Sequence, residues 1–129
     1  MTGFVVAIVG ALFLLAGLVV DGGLALGARV RAVNEAQEAA RAGAQQLDLA
    51  AYRRDAEVRL DPGRARAAAL AYIAATSDTA MVTVSGDRVT VAVHAVQPTQ
   101  ILGLAGLGSI RVSGEAAAVA QRGVTEVIR

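Results

Sequence analysis

From Gly3 to Val20 the chain reads GFVVAIVGALFLLAGLVV, a run with no charge and no strongly polar group. As a helix rising ~1.5 Å per residue, its 18 residues reach ~27 Å, close to the hydrocarbon thickness of a bilayer. The pattern does not stop at Asp21-Gly22-Gly23. Beyond it, Leu26, Val30, Val33, Ala36, Ala40, Ala44, Leu47 and Ala51 recur in steps of three or four, which defines one helical face. The opposite face carries Arg31, Asn34, Glu35, Glu38, Arg41, Gln45 and Asp48, with Glu38 and Arg41 spaced as a favourable i,i+3 pair. The expectation is one long helix from about residue 4 to about residue 50. Its first half suits lipid or a filament core, its second half lies under a small soluble domain, and Gly22-Gly23 permit a bend between them.

The periodicity weakens between about residues 48 and 60, where DLAAYRRDAEVRLDPG reads as a connection with a short extended piece at Glu57 to Leu60. A second helix then begins at a clear signal. Asp61 suits the N-cap and Pro62 the first helical position, and ARAAALAYIAAT continues to Thr76. Ala68, Tyr72 and Ala75, flanked by Ala65 and Ala71, are expected to pack on the Ala-rich face of the first helix. After Ser77 the period changes to two. Val82 and Val84, then Val89, Val91, Val93 and Ala95, then Ile110, Val112 and Gly114 alternate with mainly polar neighbours, which predicts three half-buried strands. Gly86-Asp87 is a two-residue hairpin signal; pairing Ser85 with Arg88 sets Val84 opposite Val89 and Val82 opposite Val91. The connection from Gln97 to Gly108, QPTQILGLAGLG, reads as a short helix or apolar loop. The architecture is α+β, a small three-stranded antiparallel sheet with its Val face on the long N-terminal helix and a second short helix beside it.

Composition sharpens this picture more than it changes it. Of 129 residues, 29 are Ala and 3% are aromatic, so the core is built from small side chains packed closely rather than around a roomy pocket. All 12 basic residues are Arg against 11 acids, a net charge of +1 that offers neither a nucleic-acid surface nor a polybasic membrane patch. Zero Cys removes disulfides, thiol catalysis and cysteine metal sites. His94, the single histidine, falls on the polar side of a predicted strand and reads as a solvated residue rather than a base or ligand. The glycines at 103, 106 and 108 lack the spacing and following helix of a phosphate loop. No catalytic residue, cofactor, metal or small-molecule substrate is therefore expected, and the chain is read as a non-enzyme.

The stretch LVVDGGLALGARVRAVNEAQEAARAGAQQLD, through Asp21-Gly22-Gly23, Arg29, Arg31, Ala36-Gln37 and Ala39 to Ala44, resembles the membrane-proximal segment of TadE/TadG-like proteins of Flp (tight-adherence) pilus loci, especially the actinobacterial ones. LDPGRARAAALAYIAA is similar to a second-helix region of the same group. The resemblance implies a pilin-like fold. It implies a minor pseudopilin or accessory envelope protein, anchored in the membrane with its head outside, beside a secretion ATPase and a polytopic platform protein. Processed pseudopilins of this kind carry a Glu five residues after a cleavage-site Gly, whereas the fifth residue after Gly3 is Ile8 and the first Glu is Glu35. That departure moves the match toward the TadG-related side, or toward a protein anchored without polymerising.

The expected division is an anchor over residues 1–28 and an extracytoplasmic α+β domain over 29–129. A retained anchor is favoured over a cleaved signal peptide because nothing basic precedes the run and Ala25-Leu26-Gly27 is a weak cleavage signal. Arg29 and Arg31 flank the C-terminal end of the span, so the positive-inside rule alone would place the domain in the cytoplasm, against the resemblance. Basic residues upstream of Met1 would remove that conflict.

The interaction candidates are Asp21, Ile101, Leu102, Leu104 and Leu107. Asp21 either marks the end of the hydrocarbon region and faces headgroups, or neutralises a cation on a neighbouring subunit. The apolar residues at 101–107 either plug the open end of the small sheet or form an exposed contact for a neighbour. Expected partners are the membrane and other pilus or secretion subunits, reached through the N-terminal helix, without nucleic acid. A tethered or secreted binding module unrelated to pili is the alternative.

Overall fold

The computed structural model describes residues 1–46, 53 and 60–120. Helix α1 runs unbroken through 43 residues, Thr2–Ala44, and passes Gly22-Gly23 without interruption. It ends at Gln45, whose N–H donates to the Arg41 carbonyl while the Gln46 N–H donates to that of Gly43, so the helix stops short of residue 50; Leu47, Asp48 and Ala51 lie outside the described residues. The same holds for the extended piece predicted over Glu57 to Leu60, except for Leu60 itself. That residue is fully buried and donates its N–H to the Gly86 carbonyl at 3.2 Å.

Helix α2, Pro62–Ala74, starts as its sequence requires. The Asp61 carboxylate accepts the Arg64 N–H at 3.2 Å and proline occupies the first turn, where its missing N–H costs no helical bond. Strands β1 (Thr79–Ser85), β2 (Arg88–Pro98) and β3 (Ser109–Val119) form an antiparallel sheet in the order β1-β2-β3. Ser85 pairs with Arg88, Val84 with Val89 and Val82 with Val91, the register expected from the hairpin signal. Gly86 supplies the turn with φ 61°, which a side chain would strain. β3 runs farther than predicted, to Val119, and sets Ala116 and Ala118 opposite Val91 and Val89.

Both helices cover one face of the sheet. Val82, Val89, Val91, Val93 and Ala95 point into the core, where they meet Ala32, Ala36, Ala39 and Ala40 of α1 and Ala65, Ala69 and Ile73 of α2. Two expectations about helical faces are corrected here. On α1 the buried line is Ala28, Ala32, Ala36, Ala39, Ala40 and Gly43, whereas Leu26 and Val30 are exposed. On α2 it is Ala65, Ala69 and Ile73, whereas Ala71, Tyr72 and Ala75 are exposed. The reason is steric. α1 lies so close to β3 that a Cβ on Gly114 would stand 2.5 Å from the Val33 nitrogen, and so close to α2 that one on Gly43 would stand 2.9 Å from the Ala65 carbonyl oxygen. Only small side chains fit such a seam, so the larger apolar residues of α1 turn outward.

Candidate functional site

The first 20 residues of α1 present apolar surface on nearly every side. Phe4, Leu12, Phe13, Leu14, Leu15, Leu18 and Val19 are all more than half exposed, and only 6% of the most apolar 18-residue window is buried. This is not the environment of a soluble core helix. α1 is the one described helix long and apolar enough to cross a membrane.

Gly17 is the exception on that surface, and it leads to the most specific geometry in the molecule. One turn later on the same face lies Asp21, 1% exposed and the one buried charged residue among the described residues. Its carboxylate faces the segment between β2 and β3. Oδ1 accepts the Gln100 N–H at 2.6 Å, and Oδ2 accepts those of Ile101 at 3.0 Å and Leu102 at 2.6 Å. These three donors open a single 3-10 turn, Leu102–Ala105, so the carboxylate binds the free amides at the start of the turn much as a capping residue does. Gly106, with φ 100°, ends the turn. Its base is closed by Thr99, which donates its N–H to the Gly108 carbonyl at 3.1 Å and its hydroxyl to the Leu107 carbonyl at 2.5 Å.

The candidate residues divide accordingly. Asp21, Ile101 and Leu102 come together around Gly17, where an added Cβ would meet Ile101 Cγ2 at 2.8 Å and Leu102 Cδ2 at 3.1 Å. Leu104 and Leu107 point away, 91% and 50% exposed. Asp21 therefore does not face headgroups or water, and within the chain its partners are backbone amides rather than a cation. The loop's apolar side chains lie outside the buried core cluster, and Ile101 and Leu102 rest on α1 rather than on the sheet. A shallow, open apolar cavity of about 250 Å³ lies beside this contact, lined by Gly10, Phe13, Leu14, Ile101, Leu102 and Leu104. Sequence reasoning missed Gly17 and the Gln100 amide. The available signal was a glycine four residues before a lone acid on an apolar helix.

A second polar feature lies farther along α1. Glu35, expected on the solvated face, is half-buried, and its Oε2 has no hydrogen-bond partner among the described residues. Burial pushes its carboxyl up from the ordinary glutamate value; Asp78 at the start of the sheet adds to the rise and Arg31 opposes it. Glu38 and Arg41 form the predicted pair at 2.7 Å on the exposed side. His94 is exposed on the outer face of β2, and no group of three metal-ligating side chains occurs among the described residues.

Residues 1–46 match the family model described as putative Flp pilus-assembly TadE/G-like. The matched residues coincide with α1 and its C-cap. The similarity noted for the second helix lies outside the matched residues. No curated protein and no solved structure matches the chain.

Proposed function

We propose that this protein is a membrane-anchored structural component of an Flp (tight-adherence) pilus or related secretion machine, without catalytic activity of its own. The observation that carries this reading is the coincidence of the TadE/G-like match with a helix whose N-terminal part exposes apolar side chains on nearly every side. Residues 1–28 serve as the anchor and residues 29–129 as an extracytoplasmic head. The exposed surface that continues past the span supports contact with other subunits: Leu26 and Val30, with Arg29, Val33 and Asn34, line a shallow, largely apolar groove on α1.

The test is made in the native host. Deleting the gene should abolish Flp piliation and surface adherence. The tagged chain should resist alkaline carbonate extraction, expose its C-terminal domain to external protease, and co-purify with other pilus-assembly proteins. Normal piliation in the deletion strain would overturn the reading. One observation favours a second one, a tethered envelope module unrelated to pili. Ile8 stands where processed pseudopilins carry Glu, and no Glu precedes Glu35. Membrane retention combined with normal piliation is the outcome that would select it.

A further inference from the structure

We propose that the loop from Thr99 to Gly108 is a second membrane-inserting element, which enters the head-side leaflet alongside α1 and contacts lipid acyl chains through Leu104 and Leu107. This rests on the reading of α1 as a membrane span and adds to it a part of the head that dips below the surface.

Depth is the first argument. The turn lies against Gly10, Phe13 and Leu14, which precede Asp21 by 11, 8 and 7 residues. At ~1.5 Å per residue this is roughly 10–16 Å along the helix from Asp21 toward the N-terminus. A bilayer that covers the apolar run from Gly3 to Val20 therefore also covers the tip of the loop. At that level the neighbouring surface of α1, Leu12, Phe13, Leu14, Leu15 and Leu18, is exposed and apolar, and Leu104 continues it.

Chemistry is the second. Ile101 to Gly108 contains no charged residue, and Leu104 is 91% exposed. Irregular backbone in hydrocarbon needs its polar groups satisfied within the protein. Here the N–H groups of Thr99, Gln100, Ile101, Leu102, Leu104, Gly106 and Leu107 all have protein acceptors, three of them on Asp21. The buried carboxylate thus has a physical purpose. It supplies the acceptors that water would supply to a loop at the surface, while the three amides replace its own hydration. Residues 2–20 of α1 offer no charged side chain to form the polar rim of a protein interface, so lipid is the occupant that matches this surface.

The chain has no cysteine, so single-cysteine variants of the full protein carry one probe each. Leu104→Cys, Leu107→Cys, Phe13→Cys and Asp87→Cys would be labelled with the fluorophore NBD and reconstituted into phosphatidylcholine–phosphatidylglycerol vesicles containing acyl-chain-brominated lipid. All four positions are exposed, and unchanged circular dichroism and melting would establish that the fold is retained. The expected result is blue-shifted emission and bromolipid quenching at Leu104 comparable with Phe13, weaker quenching at Leu107, and none at Asp87 on the hairpin tip. Quenching at Phe13 without quenching at Leu104 overturns the inserted loop and leaves the anchor standing. No quenching at either position overturns both. A Leu104 probe shielded from bromolipid and from aqueous iodide, and cross-linking to a second copy or another protein, overturns lipid contact in favour of a protein interface.

Discussion

At Gly114 a methyl group would stand 2.5 Å from the Val33 nitrogen and 2.8 Å from the Ala32 carbonyl carbon, both backbone atoms that cannot rotate away. Gly114→Ala must therefore push α1 off β3, and overpacking of this kind costs about 1–3 kcal/mol or more. The urea midpoint of the detergent-solubilised chain should fall by the corresponding amount, whereas Ala substitution at Gly108, where nothing lies within 4 Å, should leave it nearly unchanged. Glu35 gives a prediction in pH. Its carboxyl is raised in the folded state by burial and then by Asp78, so it favours folding below its unfolded value and loses that contribution as pH rises through the folded one. Melting temperature should accordingly decline from pH 4 toward neutrality to the extent set by this group. Glu35→Gln should flatten that decline and raise the melting temperature at pH 7; an unchanged pH profile would count against the assignment.

Among the elements, α2 and the β1–β2 hairpin were the most legible, because each begins on residues with a single structural use. Asp61-Pro62 is a cap followed by a first-turn proline, and Asp61→Ala should cost about 0.5–2 kcal/mol, measured by thermal melting. Gly86-Asp87 fixes the strand register, because a slip by one residue would turn every inward valine to solvent. The buried faces of the helices were less legible. Leu26 and Val30 outweigh alanine in hydrophobicity and Tyr72 in size, yet close approach selects for small residues, so alanines took the α1 seam and, beside Ile73, most of the α2 one. The loop from Thr99 to Gly108 was legible as apolar but not as a partner of Asp21, since some 80 residues separate the two and no local pattern links them. Asp21→Asn tests that contact directly. The amide keeps one acceptor oxygen where three N–H groups need two, so hydrogen exchange at Gln100, Ile101 and Leu102 should accelerate while the valines of β2 stay protected.

For the molecule as a whole, the anchor reading makes a demand that the head does not share. Leu12 lies near the middle of the apolar run and is 60% exposed, so it contributes little to packing within the chain. Leu12→Arg would place a charge in mid-bilayer at a cost of about 3 kcal/mol on insertion scales. The variant should shift from the carbonate-resistant to the extractable fraction while its sheet and second helix still fold; full retention in the membrane would argue that α1 does not span. Gly22-Gly23 make the natural hinge of this rod, yet the head grips it on both sides, at Gly17 and Asp21 before the glycines and from Ala28 onward after them. The head is thus a splint across its own hinge. A tilt of the anchor is not absorbed at the glycines but swings the whole head as a lever, and a helix of 43 residues at ~1.5 Å each moves its far end by roughly 1 Å for every degree. Releasing the Asp21 clamp would remove the splint and uncouple the head's orientation from that of the membrane segment.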